Sequence, residues 1–280
     1  FWLLLLRQWI RGYAAWRQSE LLLYSHMMRN GTPSILSSSR TLAMLESVIS
    51  DGGTSSITAL ARASGVPVPT AHRQVHTLVE AGWLSSTVNG RHVAGPRLIG
   101  LLHRLDEKQI IANIAAPMLH RLAAKVRCIV QLGTYENEMV TYRIKTGQGA
   151  SGLFPRIGMQ LEAYCSGIGK VLLANLPAAE RTAYLANGPF VPLTERTITN
   201  PALLAEELTL VAGQGYAVDD GEIAHGLVCI AVPIRKPDGS VPAAISVSRF
   251  ETEQSRPDRE TITALLRSAA QEIETAAFPH

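Results

Sequence analysis

The pattern of apolar and polar positions divides this 280-residue chain into a helical N-terminal part and a longer part in which strands and helices alternate. From about Ser39 to Ser50 the apolar residues recur at helical spacing and predict a first helix. We expect its inward face to carry Leu42, Leu45, Val48 and Ile49.

Two more helices are predicted directly after the first. Thr58 is a suitable N-cap for the second, and Gly65 can take the left-handed conformation at which a helix ends. Pro67 and Pro69 favour the start of a third helix, because proline is tolerated in the first helical turn. That helix should run to about Ala81, with an apolar stripe of Ala71, Val75 and Leu78.

Two short strands are predicted between Leu84 and Ala94, joined by a two-residue hairpin turn at Asn89-Gly90. A helix-turn-helix can lay its second helix in the major groove of DNA, and a basic hairpin tip beside it can reach the minor groove or phosphate. The order of elements therefore predicts a winged helix-turn-helix. We expect DNA contacts from Thr70, His72, Arg73, His76, Arg91 and His92.

A series of short motifs in this region carries a family resemblance through its order and spacing. The motifs are Leu60-Ala61-Arg62, Gly65-Val66-Pro67, Thr70, His72-Arg73, Leu78-Val79, Gly82-Trp83-Leu84 and Gly95-Pro96-Arg97-Leu98. Together they resemble the N-terminal domain of the IclR family (isocitrate lyase regulator type) of bacterial transcription factors. Val68 and Pro69 stand where the family usually has a basic and a hydroxyl residue, so we expect Thr70 and Arg73 to make the main contacts.

Composition agrees with a folded protein of two modest domains, since 46% of the 280 residues are hydrophobic. A net charge of +3 is only weak support for nucleic-acid binding, but arginine outnumbers acidic residues between Arg40 and Arg104. Three widely spaced cysteines do not form a disulfide framework, which favours a reducing cytoplasm. We expect no metal and no cofactor.

The first thirty residues differ from the rest of the chain. Leu3 to Leu6 is strongly apolar, but Arg7, Arg11 and Arg17 interrupt the run before the ~20 apolar residues of a membrane-spanning helix. We interpret Phe1–Asn30 as an atypical extension, with an amphipathic, membrane-surface helix as the alternative. No membrane partner is expected.

A helical linker should follow the wing. From Pro96 to about Lys108 its apolar density predicts packing against a partner chain or the first domain, through Leu98, Ile99, Leu101, Leu102 and Leu105. A further helix from Ile110 to Lys125 should break or restart at Pro117.

The remainder of the chain predicts an α+β domain, since strands and helices follow in mixed order. The expected strands are Cys128–Tyr135, Met139–Ile144, Tyr216–Asp219, Leu227–Ile234 and Val241–Ser248, and the expected helices are Ser166–Leu176, Ala178–Ala186, Ala202–Val211 and Asp258–Ala277. The resulting division is an extension and linker over residues 1–37, the winged helix-turn-helix over 38–95, a helical linker over 96–116 and an effector-binding domain over 117–280.

The segment around Gly167-Ile168-Gly169-Lys170 is not a phosphate-binding loop, because Tyr164 and Val171 stand where that motif needs glycine and a hydroxyl residue. Its glycines suit either a helix N-terminus that attracts a carboxylate or a close helix-sheet crossing. The two interpretations are compatible.

A second candidate site surrounds Asp219 and Cys229. Cys229 with His225 raises a thiol-hydrolase or metal-site alternative, but the spacing suits neither well. The family resemblance instead implies a GAF-like domain with an effector pocket formed by Leu153, Leu161, Gly167, Ile168, Asp219, Leu227, Cys229, Ser246 and Ser248. Ser246 and Ser248 alternate on one strand and should face the same side.

The sequence thus predicts a transcription regulator that binds a double-stranded operator as a homodimer or dimer of dimers, controlled by a small carboxylate or aromatic acid. The alternative is a cysteine- or metal-dependent hydrolase with an appended helix-turn-helix. Neither the effector nor the sign of regulation follows from the residues.

Overall fold

The computed structural model describes residues 34–149, 156–250 and 257–279, which form two compact units that divide between Arg104 and Leu105. The expected extension Phe1–Asn30 lies outside the described residues. No helix within the described ranges is long and apolar enough to cross a membrane.

The first unit is a small helical core with a two-stranded wing. Its elements are α1 (Leu36–Asp51), α2 (Ile57–Ala63), α3 (Val68–Glu80), β1 (Leu84–Ser86), β2 (His92–Ala94) and α4 (Pro96–Leu102). The predicted stripe of α3 is confirmed, since Ala71, Val75 and Leu78 are buried in the core of this unit. Gly65 has a φ of +66°, the left-handed conformation expected between α2 and α3.

Two details of the helices differ from the sequence-based expectation. Leu42 and Ile49 are 64% and 39% exposed, and the buried residues of α1 are Met44 and Val48. The helix carries two adjacent apolar stripes, and sequence spacing alone does not decide which of them faces inward. The cap of α2 is Ser56 rather than Thr58, because the Ser56 hydroxyl accepts a hydrogen bond from the Ala59 N–H at 3.3 Å.

The turn of the wing also differs from the prediction. The Gly90 N–H donates to the Thr87 carbonyl at 3.0 Å, so Val88 and Asn89 are the central turn residues. Gly90 follows them with a φ of +67°. This is the longer hairpin loop in which a left-handed glycine completes the turn, and the expected two-residue Asn89-Gly90 turn is wrong.

The two helices expected after the wing are present, but the first is shorter and the second starts earlier than predicted. α4 ends at Leu102, and α5 (Glu107–Val126) begins after Asp106, whose carboxylate caps the new helix by accepting from the N–H groups of Lys108 and Gln109. The expected break at Pro117 is wrong, because α5 continues through it. Pro117 is exposed, so water can reach the carbonyl whose N–H partner proline removes.

The second unit contains a six-stranded antiparallel sheet with helices on both faces. Its strand order is β5-β4-β3-β8-β7-β6. The strands are β3 (Ile129–Glu136), β4 (Met139–Thr146), β5 (Gln160–Glu162), β6 (Ala217–Asp220), β7 (Leu227–Ile234) and β8 (Ala243–Phe250), and the helices after α5 are α6 (Gly167–Ala174), α7 (Ala178–Ala186), α8 (Pro201–Gln214) and α9 (Arg259–Ala277). The predicted strands and helices of this domain are therefore confirmed to within a few residues.

The two faces of the sheet have different chemistry. One face packs against α5 and α9 through a large cluster of buried apolar residues. It takes alternate residues of the central strands, such as Val130, Ile230 and Val247. Because side chains alternate along a strand, the residues between them point to the other face, where α6 lies. That second face contains the polar candidate site.

A cluster of ion pairs connects the start of α5 to the sheet. The Arg143 guanidinium in β4 donates to Asp106 Oδ2 at 2.8 Å and to Glu136 Oε1 at 2.6 Å. Arg143 is mostly buried, with 12% of its side chain exposed. Charge-assisted hydrogen bonds that are partly shielded from water in this way are stronger than those of exposed pairs.

Candidate functional site

Helix α3 presents a polar, partly basic face to solvent. His72, Arg73 and His76 are exposed on it, and Thr70 is half-buried. Among the described residues, none forms a hydrogen bond or ion pair with the Arg73 guanidinium; only its backbone carbonyl is engaged, by Thr77. His76 is paired with Glu80 at 3.4 Å. Arg73 therefore has its full set of donors available for an external acceptor.

The two basic residues of the wing differ in exposure. Arg91 is exposed at the hairpin and makes a long contact of 3.5 Å to the Gly53 carbonyl. His92 is half-buried in β2, and burial together with the neighbouring His72 lowers its pKa below the usual 6.5. His92 is thus neutral at pH 7, which weakens the case for a phosphate contact from it.

A small cavity lies between the polar face of the sheet and α6. Seven of the nine effector-site residues expected from the sequence line it: Gly167, Ile168, Asp219, Leu227, Cys229, Ser246 and Ser248. Leu161 does not line the cavity: it lies in β5, where it pairs with Val140 of β4. Leu153 lies outside the described residues. The cavity holds about 20 Å³, space for roughly one water molecule.

Four further residues line the same cavity and were not expected: Gln131, Tyr142, Ser166 and Ile223. Gln131 could have been found by period-two alternation, because it follows a buried apolar residue in β3 and faces the same side as Ser246, its partner in β8. The Ser248 hydroxyl lies 3.1 Å from Cys229 Sγ and 3.2 Å from Gln131 Oε1 and can donate its one proton to either. Hydroxyl, amide and thiol groups thus line the space, and within the described ranges none of its lining residues is cationic.

A buried charge network lies beside the cavity. The Lys170 ammonium, 1% exposed, contacts Glu222 Oε1 at 2.5 Å and Glu207 Oε1 at 3.0 Å. It also donates to the Val218 carbonyl at 2.6 Å. The Glu222 N–H in turn donates to Asp219 Oδ1 at 2.7 Å, so Lys170 holds the segment that carries Asp219.

The carboxyl groups of this network resist ionisation. Burial raises the pKa of Asp219 to about 6 and that of Glu222 to about 7, against the opposing effect of Lys170. Asp219 Oδ2 and Glu222 Oε2 are buried, and no described residue forms a hydrogen bond with either atom. A buried polar atom without a partner in a cavity wall is a point at which a ligand's donor can be accepted.

The two glycines at the start of α6 lie in different surroundings. A Cβ at Gly169 would overlap the Ala163 backbone, so this position marks a close helix crossing. A Cβ at Gly167 would lie 3.4 Å from the Cys229 carbonyl, which is tight but not an overlap, and Gly167 lines the cavity. Ser166 caps the helix through a 3.0 Å bond from the Gly169 N–H.

The geometry does not support a thiol nucleophile. Burial raises the pKa of the Cys229 thiol well above its usual 9.0. His225 is exposed and paired with Glu195 at 3.4 Å instead of with Cys229. No metal-binding cluster of three or more His, Cys, Asp or Glu side chains occurs across the part of the chain that the structure describes.

A winged helix-turn-helix with an unpaired arginine on its third helix, followed by an α+β unit with an interior polar cavity, defines a DNA-binding regulator of transcription. Comparison with known families agrees. The IclR helix-turn-helix domain matches residues 37–87, and the bacterial transcriptional regulator IclR C-terminal domain matches residues 103–275. The chain belongs to the IclR family.

Individual relatives are similar over most of their length. The Pca regulon regulatory protein of Pseudomonas putida is 28% identical over 234 residues, which cover 82% of this chain and 80% of the relative. The crystal structure of the Agobacterium tumefaciens repressor BlcR superposes with a TM-score of 0.64 at 27% identity, covering 87% of this chain and 97% of that one. An IclR homologue from Microbacterium hydrocarbonoxydans, solved in complex with 4-hydroxybenzoate, superposes with a TM-score of 0.57 at 28% identity over 85% and 98% of the two chains.

Proposed function

We propose that this chain binds a specific operator through α3 and that a small organic acid in the cavity controls that binding. The observation that carries the proposal is the presence, in one chain, of an exposed Arg73 on a recognition helix and an interior cavity with an unpartnered carboxyl oxygen on Asp219. A regulator of this kind works in the bacterial cytoplasm, where the operator is.

The lining of the cavity restricts how an acid would be held. None of the described lining residues is cationic, so an effector carboxylate would depend on neutral donors such as Ser246 and Ser248 and on the positive end of α6. Its other end would need a donor, such as a hydroxyl group, for Asp219. The complex of a related protein with 4-hydroxybenzoate, which carries both groups, supports this arrangement.

The size of the cavity supports a mechanism for control. About 20 Å³ is too small for an organic acid, so binding would have to enlarge it. A ligand that fits only the enlarged form shifts the population towards that form, typically by about 1 to 3 kcal/mol of coupling. The change would begin at α6 or at the segment from Asp219 to Glu222, which Lys170 joins.

Operator binding would use two or more copies of the chain. Three apolar side chains of the linker are exposed to solvent: Ile99 by 59%, Leu102 by 70% and Leu105 by 55%. Exposed apolar residues grouped in this way are typical of a surface that contacts another protein chain. A homodimer, or a dimer of dimers, would cover this surface and present two copies of α3 to the half-sites of a roughly palindromic operator.

The test is retention of promoter fragments from the neighbouring genes in a gel-shift titration. Arg73→Ala should weaken specific binding by about 1 to 3 kcal/mol if Arg73 contacts a base edge. Arg62→Ala, an exposed arginine on α2, is the matched control and should have a smaller effect. Absence of salt-sensitive binding to any fragment would contradict the DNA-binding part of the proposal.

The effector part needs a separate measurement. A panel of hydroxy, keto and aromatic acids should contain a compound that raises the melting temperature and changes operator affinity. Asp219→Asn should reduce that response while operator binding without effector is retained. An acid that stabilises the wild type and Asp219→Asn equally would show that it binds elsewhere.

A further inference from the structure

A second, larger depression occurs in the α+β unit and shares no residue with the cavity described above. It encloses about 280 Å³ and is lined by Gly215, Val232, Pro233, Arg235, Arg267, Ala270, Gln271 and Glu274. It exists because the β6–β7 pairing ends at Ala217 and Ala231, so that no β6 residue pairs with β7 beyond that point. We call it the α9 groove, after the helix that forms one of its walls.

Two arginines provide the positive charge of the α9 groove. Arg267 donates to the Gln214 carbonyl at 2.7 Å and lies over the Tyr216 ring, and Arg235 Nη1 donates to Asn175 Oδ1 at 3.0 Å. Neither guanidinium has a carboxylate within ion-pair distance among the described residues. Each group has five N–H donors, so several remain for an external acceptor.

The opposite charge in the α9 groove is provided by Glu274. Its Oε1 accepts the Arg235 backbone N–H at 2.7 Å, which fixes the carboxylate in the wall without neutralising either guanidinium. Val232, Pro233 and Ala270 supply apolar surface between the charged groups. This combination of an apolar floor and a few convergent polar groups is typical of small-molecule sites.

We propose that the α9 groove is a second ligand site, which binds a small carboxylate or phosphate anion that also carries a hydroxyl or amino group. The anion would contact Arg267 and Arg235, because the planar guanidinium group is well suited to binding a carboxylate or phosphate. The hydroxyl or amino group would donate to Glu274. At about 280 Å³ the groove is more than ten times the size of the cavity beside α6 and needs no enlargement to admit such a molecule.

A simpler account assigns both arginines to the ends of helices, since Arg267 contacts the last residue of α8 and Arg235 contacts the C-cap of α6. That account explains one donor on each guanidinium. It does not explain the open space that both residues line. It also predicts a loss of stability, rather than of binding, when either arginine is replaced.

The experiment is isothermal titration of the full chain with three probes: inorganic phosphate, malate and succinate. Malate and succinate differ by one hydroxyl, so tighter binding of malate reports the contact with Glu274, and Glu274→Gln should reduce that preference. We expect saturable binding by the wild type. Its affinity should weaken about 10- to 100-fold in Arg267→Gln, because charge-assisted hydrogen bonds to the anion are lost. Arg267→Lys should recover part of it, because lysine keeps the charge but not the planar donors.

Arg259→Gln is the matched control, an exposed arginine on the same helix outside the groove. It should bind the probes as the wild type does, and the melting temperature of each unliganded variant will show that the fold is intact. An equal loss in Arg259→Gln, or no saturable binding of any probe, would overturn the proposal. So would binding that is lost in Ser248→Ala and kept in Arg267→Gln, since that places the probe in the cavity beside α6.

Discussion

Replacement of Lys170 by methionine should strongly destabilise the α+β unit. Methionine fills a similar volume, so the change removes the ammonium with little loss of packing. Lys170 is 1% exposed, and its ammonium is the only cation recorded within 4.0 Å of Glu222 or Glu207 among the described residues. The side chain of Glu222 is 7% exposed, so water cannot take the place of Lys170.

The expected magnitude follows from the burial of both partners. Removing one member of a buried ion pair costs about 3 to 5 kcal/mol, since the other charge is left without compensation. A typical domain has a net stability of about 5 to 15 kcal/mol, so the loss is a large part of the total. In the double variant Lys170→Met with Glu222→Gln, the uncompensated charge is gone, and we expect a coupling energy of about 1 to 3 kcal/mol.

Urea unfolding monitored by circular dichroism measures these differences, with the two units fitted as separate transitions. It should be carried out at pH 8, above the pKa of about 7 for Glu222, so that the carboxyl groups are ionised in both states. Lys125→Met, an exposed lysine on α5, is the control and should change stability by no more than about 0.5 kcal/mol. A cost below about 1 kcal/mol for Lys170→Met, or a double variant no more stable than the single one, would refute the reasoning.

Two more predictions concern the same part of the fold. Gly169→Ala should lower the stability of the fold by about 1 to 3 kcal/mol or more, because its Cβ would overlap the Ala163 backbone. Gly167→Ala should cost less stability and mainly reduce the response to the effector. Equal melting temperatures for the two variants would contradict this prediction. The second prediction concerns the pH dependence of stability. In the folded state the pKa values of Asp219 and Glu222 are raised above their usual 3.8 and 4.5 to about 6 and 7. Protonation of these two groups therefore stabilises the fold fully below about pH 4, and this contribution is lost as the pH rises through 6 to 7. Unfolding midpoints measured from pH 4 to 8 should therefore fall less steeply in Glu222→Gln than in the wild type, and parallel profiles would count against it.

The sequence predicted the α+β fold and most of the cavity because two signals were strong. The family resemblance implied the lining positions, among them Asp219 and Cys229, and alternation along β8 supported a shared face for Ser246 and Ser248. It did not predict that Lys170 is buried, because the carboxylates that compensate it, Glu207 and Glu222, are far away in the chain. Only tertiary structure brings such partners together.

Errors elsewhere have local physical causes. The two apolar stripes of α1 are equally periodic, so spacing could not distinguish Leu42 from Met44 as the buried residue. In the wing, Gly90 is left-handed while Asn89 is not, which selects a longer loop from the same residue pair. Pro117 did not interrupt α5, because a proline on an exposed helical face leaves its unpaired carbonyl within reach of water.

The continuity of α5 has a mechanical consequence. Its 20 residues make a rod about 30 Å long, and it starts two residues after the junction at Arg104–Leu105. A hinge at Pro117 would have absorbed small movements of the sheet. The continuous helix α5 is instead bound to Arg143 near its first turn and packs on the sheet along its length, so it tilts when the sheet moves. A shift of one or two degrees at the sheet would therefore reach the junction as a displacement of about 0.5 to 1 Å over that length.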